Sequence, residues 1–157
     1  LGLFCLRTAK RGGASKLTSA LTIHNVLRKE RPDLLDALYT PFHVDWRGEE
    51  PAGEAPFFTL PMFSEAQGKV TARIVSLPYY DSCKRHGAQL APTREQREAL
   101  VQVQEIANRP SLMLSMDFQE GDIQLINNHT LLHAREAFEE SDHQRNAARD
   151  SDFLLQP

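Results

Sequence analysis

Glycine, proline and polar turn residues divide this chain into short apolar segments, and that division limits the folds available to it. The opening segment "LGLFCLRT" ends in the basic turn "AKRGG", and three prolines and two glycines interrupt residues 42–63. In "GKVTARIVS", Val70, Ala72 and Ile74 alternate with polar residues, as in a half-buried strand. The stretch "SLMLSMDFQEGDIQLINNHTLLH" predicts two strands joined by the turn "QEGD". Most of the chain is therefore expected to form short strands.

Helix signals occur early and once more near the middle of the chain. Thr18 or Ser19 is suited to cap a first helix, and Pro32 suits the first turn of a second, "PDLLDALY". Thr93 and Gln96 form the capping-box pattern of a third helix, which carries an apolar stripe. This distribution predicts an α+β domain that is mainly β, with a β-sandwich or jelly roll and flanking helices as the best architecture.

Composition excludes several classes of protein. A chain of 157 residues with a net charge of −3 is long enough for one domain and lacks the basic excess of a nucleic-acid binder. No apolar run reaches the roughly 20 residues that a membrane span requires. Cys5 and Cys83 are far apart, which argues against a disulfide scaffold or zinc finger and indicates a reducing, cytoplasmic compartment.

The segment "GDIQLINNHTLLHARE" combines polar groups with apolar residues and contains two histidines, His129 and His133. On a helix, histidines four apart can share one zinc ion, but the glutamate of HExxH is absent and the segment predicts a strand. On a strand these positions lie roughly 13 Å apart, too far to ligate one ion. The other histidines are expected to be structural or at the surface, with His24 on a helix and His43, His86 and His143 in polar loops.

Several segments, in their order and spacing, resemble the taurine dioxygenase (TauD/TfdA-like) family. They are "GLFCLRTAKRGGAS", the helix "LTIHNVLRKERPDLLDALY", the segment "GDIQLINNHTLLHAREAFEE", and two arginines spaced R-x-x-x-R. The likeness runs from Leu1 to about Arg149. It implies a double-stranded β-helix, or jelly roll, that uses Fe(II) and 2-oxoglutarate.

The resemblance also implies roles for individual residues. His133 matches the iron-binding histidine that follows the "GD…NN" strand, whereas His129 matches no ligand position. Arg149 matches the arginine that anchors the distal carboxylate of 2-oxoglutarate, and Arg145 matches a second arginine near the cosubstrate. Ser15 matches the hydroxyl that assists after the Gly-Gly turn. A guanidinium can hold a carboxylate through two parallel hydrogen bonds, which suits the first of these roles.

Two features depart from the family pattern. The other two iron ligands form an H-x-D/E motif before the Gly-Gly turn, but the only H-x-D, at His43 and Asp45, comes after it. We therefore expect that the chain begins inside the domain and that these ligands lie upstream of Leu1. Residues 146–157 also depart, since Asp150, Asp152 and their neighbours replace the apolar residues of the expected last strand.

Two functions remain open from the sequence. The first is a dioxygenase that decarboxylates 2-oxoglutarate and oxidises a small molecule, represented here by part of a single domain, with little or no activity on its own. The alternative is a non-catalytic β-sandwich module for binding or assembly, derived from such an oxygenase, in which His133 is structural. Neither nucleic acid nor membrane is an expected partner.

Overall fold

The computed structural model describes residues 1–139, which contain many short strands. The strands are β1 (Gly2–Phe4), β2 (Arg11–Gly12), β3 (Ser15–Ser19), β4 (Phe42–Asp45), β5 (Phe57–Leu60), β6 (Phe63–Ala66), β7 (Lys69–Ala72), β8 (Met113–Met116), β9 (Ile123–Leu125), β10 (Leu131–Arg135) and β11 (Phe138–Glu139). Each strand has five residues or fewer, because a turn signal follows closely on every apolar segment.

The helices of the same part of the chain are α1 (Ala20–Glu30), α2 (Pro32–Leu38), α3 (Leu77–Asp81) and α4 (Arg94–Ala107), with 3-10 turns at Ser82–His86 and Ala88–Leu90. The predicted starts of α1, α2 and α4 are confirmed, whereas α3 was not predicted. Ser19 caps α1 by accepting a hydrogen bond from the Thr22 amide, and Thr93 and Gln96 form the reciprocal capping box of α4. No helix in the described part of the chain is long and apolar enough to cross a membrane.

A three-stranded antiparallel sheet in the order β10-β3-β8 forms the centre of the fold. One face carries Thr18, Leu132 and Ala134, all buried, and it packs against helices. The Thr18 hydroxyl donates to the Ala107 carbonyl at the end of α4, at 2.8 Å. The pair β1-β9 lies over the opposite face, through contacts described below.

The hydrophobic core lies on the helical side of that sheet. It joins the buried faces of α1, α2 and α4 to side chains from β4, β6 and β7. Its largest fully buried apolar members are Tyr80, Phe42, Phe63, Ile23, Leu27, Leu38, Met62, Ile106 and Val103. The alternation in "GKVTARIVS" is confirmed in part, since Ala72 and Ile74 are buried and Val70 is half-buried.

The structure refines four sequence predictions. Helices and strands take similar shares of residues 1–139, so the fold is mixed α/β with flanking helices rather than mainly β, and a jelly roll remains a prediction. The stretch after Pro110 contains three strands instead of two. His129 was expected on the strand of His133, but it lies in the exposed turn between β9 and β10. His43 was expected in a loop and instead lies on β4.

A buried carboxylate, that of Asp45, connects the β4-β5 hairpin to the 3-10 turn at Ser82–His86. Asp45 is 1% exposed and accepts hydrogen bonds from the Arg47 amide and the Arg85 guanidinium, each at 2.7 Å. Burial opposes ionisation of Asp45, but hydrogen bonds from Arg47, Ser82 and Arg85 outweigh it and hold the pKa of this carboxyl below its usual value.

Replacing Asp45 with asparagine should lower the free energy of unfolding by about 2 kcal/mol at neutral pH, because a buried charge-assisted pair is lost. A carboxyl pKa that is lower in the folded state stabilises the fold above its ordinary value of about 3.9, and this contribution disappears as the pH falls through the folded pKa. Urea unfolding should therefore show that the difference in free energy of unfolding between wild type and variant decreases as the pH is lowered.

Asp33→Asn is the matched control, since it breaks an exposed pair with Arg31. It should leave the urea midpoint nearly unchanged. An Asp45→Asn difference that stays constant between neutral and acidic pH would contradict this account.

Candidate functional site

His133 lies in the middle of β10, paired with Leu17 of β3, and its side chain is half-buried. Burial lowers the pKa of its imidazole below the usual value. The ring is therefore neutral near pH 7, the form that can ligate a metal ion.

Ser15 begins β3 and pairs with Arg135 of β10. Paired residues of antiparallel strands point to the same face of a sheet, as do residues two apart on one strand. Ser15, Arg135 and His133 therefore share the face that is turned away from the helices. Ser15 and His133 are diagonal neighbours, a separation of roughly 7–8 Å in a regular ladder. The sheet thus brings together the two predicted site residues that lie within residues 1–139.

Gln124 of β9 covers Ser15 from the opposite side. The Ser15 hydroxyl donates to Gln124 Oε1 at 3.0 Å, and both residues are buried. Its neighbours Ile123 and Leu125 are 67% and 79% exposed, so β9 buries its polar residue and exposes its apolar ones. This inverts the usual order for a strand on a hydrophobic core. Polar groups therefore meet at Ser15, between the central sheet and the β1-β9 pair.

Arg135 holds the turn that leads into Ser15. Its guanidinium lies 3.8 Å from the centre of the Phe138 ring, and its Nε donates to the Gly13 carbonyl at 3.4 Å. Sequence reasoning assigned no role to Arg135 or Gln124. The signal for Arg135 was its period-two spacing from His133, which places both on one face of a strand.

The remaining predicted positions fall into two groups. Arg145 and Arg149 lie outside the described residues, as does His143, so their predicted roles stay predictions. Three of the other histidines have identified contacts: His24 with Tyr39, His43 with Thr59, and His86 with Asp45. His24 is confirmed as a buried structural residue on α1.

Within residues 1–139, no group of three or more histidine, cysteine, aspartate or glutamate side chains is arranged to hold a metal ion. Asp45 is engaged by Arg85 and by the Arg47 amide, and His43 is hydrogen-bonded to Thr59. His133 is thus a single candidate ligand, and the described residues by themselves do not form a complete iron site.

Comparison with known proteins decides the family. The sequence profile described as "Taurine catabolism dioxygenase TauD, TfdA family" matches residues 1–149. The chain belongs to this family. The matched residues include both β3 and β10, and the match confirms the resemblance drawn from the sequence.

Two curated relatives support the assignment. FR-33289 synthase from Streptomyces rubellomurinus is 35% identical over 153 residues, which are 98% of this chain and 44% of that protein. Taurine hydroxylase-like protein SAT17 from Stachybotrys chartarum is 35% identical over 140 residues, 88% of this chain and 35% of that protein. The chain therefore spans less than half the length of either relative.

A solved structure shows the same fold. It is that of an asparagine oxygenase in complex with Fe(II), 2S,3S-3-hydroxyasparagine and succinate. The TM-score is 0.61 at 18% identity, over 90% of this chain and 40% of the oxygenase. At this sequence identity the likeness shows a shared fold and does not identify a substrate.

The turn before Ser15 offers a direct test of the site architecture. Gly12 has a φ of +68°, and a Cβ there would lie 2.3 Å from the Ala137 carbonyl oxygen. Gly12→Ala should therefore force β2 and β11 apart. Gly68 has a similar φ of +70° with nothing within 4 Å, so Gly68→Ala isolates the cost of backbone strain.

We expect Gly68→Ala to cost about 1 kcal/mol and Gly12→Ala at least about 2 kcal/mol more, measured by urea unfolding. Equal losses for the two variants would show that the close approach to Ala137 does not constrain the turn.

Proposed function

We propose that the chain is part of an Fe(II)- and 2-oxoglutarate-dependent dioxygenase that oxidises a small molecule, and that residues 1–157 form part of a single catalytic domain. The observation that carries this proposal is the placement of His133 and Ser15 on one face of the central sheet, opposite Gln124. Family membership supports the reaction class, and the coverage of 44% and 35% of the relatives supports a partial domain.

Each site residue has a defined task in this proposal. His133 presents a neutral imidazole as one iron ligand. Ser15 donates its hydroxyl to the distal carboxylate of 2-oxoglutarate, which Arg149 would hold by paired hydrogen bonds with Arg145 close by. When bound, iron and 2-oxoglutarate supply the oxidising chemistry, with succinate and CO2 as the cosubstrate products. The protein positions the reactants and restricts water.

The remaining iron ligands are expected in an H-x-D/E motif before the Gly-Gly turn, whereas the only H-x-D of residues 1–139, at His43 and Asp45, comes after that turn. This observation also favours a second candidate, a non-catalytic module in which His133 is a satisfied sheet residue. The two differ in what the coding sequence encodes before Leu1. An H-x-D/E motif a short distance upstream supports the oxygenase, whereas its absence from a complete gene supports the module.

The substrate is proposed only as a small molecule, as the names of the relatives and the structural neighbour indicate for those proteins. Cys5 and Cys83 are both free thiols. This agrees with the predicted reducing, cytoplasmic setting, which remains a proposal.

With one of three ligands, the 157-residue chain should bind Fe(II) weakly and produce little or no succinate from 2-oxoglutarate. Succinate formation with and without added Fe(II) checks this. Iron-dependent turnover that His133→Ala abolishes would contradict the prediction that the chain alone is inactive.

In the protein translated from the complete coding sequence, His133→Ala should lower 2-oxoglutarate decarboxylation at least about a hundredfold, because an iron ligand is lost. His129→Ala is the matched control, since His129 is an exposed turn residue four positions away, and it should retain activity. Equal activity in the two variants would exclude His133 as a ligand and favour the module.

A further inference from the structure

We propose that Gln124 is a positioning residue that controls the direction of the Ser15 hydroxyl proton and so enables Ser15 to bind the cosubstrate carboxylate. This inference rests on the proposed function, because it needs an anion at Ser15. It adds a residue of β9, on the second sheet, to the cosubstrate site.

The contacts of Gln124 are unequal at its two polar atoms. Its Oε1 accepts from the Ser15 hydroxyl at 3.0 Å, whereas its Nε2 contacts the Met116 sulfur at 3.8 Å. A thioether is a weak acceptor. Ser15 is 7% and Gln124 8% exposed, so water has little access to this amide. The Nε2 donor therefore has only a weak partner, although buried polar groups in proteins normally have a good one.

The hydroxyl of Ser15 has a single proton, which in the structure is directed at Gln124. A carboxylate can only accept hydrogen bonds, so Ser15 binds it only by turning that proton away from Oε1. The carbonyl oxygen of Gln124 would then face the serine oxygen with no proton between them. Buried acceptors opposed in this way are costly.

Rotation of the Gln124 amide by half a turn removes the conflict. It places Nε2–H against Ser15 Oγ, which then accepts one hydrogen bond and donates another to the carboxylate. The terminal torsion of glutamine is roughly two-fold, so both orientations are accessible. The contact given up is the weak one to Met116. Gln124 thus serves as donor or acceptor according to whether the carboxylate is present.

A purely structural link between the sheets would predict something different. Loss of the link, by Ser15→Ala or by Gln124→Met, would lower the free energy of unfolding, but Gln124→Met would leave the affinity for the cosubstrate unchanged. The two roles separate in a double-mutant cycle, because a residue that acts through Ser15 has no further effect once the Ser15 hydroxyl is removed.

The experiment is an NMR titration of the labelled 157-residue chain with 2-oxoglutarate, without iron. In wild type, the Gln124 side-chain amide signal should shift with saturation. The Gln96 amide is an internal control, since it is equally buried and donates to Thr40 and Pro41 at 3.0 Å each. Its signal should stay in place. 2-Oxobutanoate, which lacks the second carboxylate, should move neither signal.

The same titration gives dissociation constants for Ser15→Ala, Gln124→Met and the double variant. We expect increases of roughly tenfold for Ser15→Ala, which removes the hydrogen bond to the carboxylate, and fivefold to tenfold for Gln124→Met, which removes the donor that directs the Ser15 hydroxyl toward it. The double variant should resemble Ser15→Ala within about twofold. Gln119→Met, at an exposed turn position, is the control for the substitution itself and should bind as wild type.

Two results would overturn this inference and leave the proposed function standing. One is saturable binding to wild type with no shift of the Gln124 signal. The other is an equal increase of the dissociation constant by Gln124→Met in wild type and in Ser15→Ala. An absence of saturable binding in wild type would overturn the inference together with the cosubstrate site on which it rests.

Discussion

The antiparallel pairing of β10 with β3 is the constraint on which the site depends. Its register places His133 opposite Leu17 and Arg135 opposite Ser15, so three polar side chains share one face. The other face of the same pair carries Thr18, Leu132 and Ala134 into the helical core. Since side chains alternate strictly along a strand, a slip of one residue would exchange these two sets. Core packing therefore fixes the register, and the register places the site.

Much of this fold could be predicted from the sequence, because its local signals act over a few residues. Ser19, Thr93 and Gln96 form caps from neighbouring groups, and Pro32 begins a helix for the same local reason. Ser15 and His133 were identified by resemblance, and only the sheet shows that they share a face. The Asp45–Arg85 pair could not be predicted, since it joins residues forty positions apart through tertiary packing.

The hardest feature to predict is the polarity of β9. In "GDIQLINN" the apolar residues would ordinarily point inward, but Gln124 is buried and Ile123 and Leu125 are exposed. The local pattern also predicted His129 on a strand. Its amide instead donates a hydrogen bond to Asn127 Oδ1 at 3.0 Å, in a turn. The inversion places Gln124 against Ser15, and functional sites are where local rules are expected to fail.

The most direct test of the account is to locate a divalent metal on the labelled 157-residue chain. Mn²⁺ added in the presence of 2-oxoglutarate should broaden the NMR amide signals of residues around His133 and Leu17 before all others, and His133→Ala should remove this selectivity. Selective broadening around His43 and Asp45, or in the acidic loop of residues 49–54, would contradict the claim that the face shared by His133 and Ser15 is the metal side of the site.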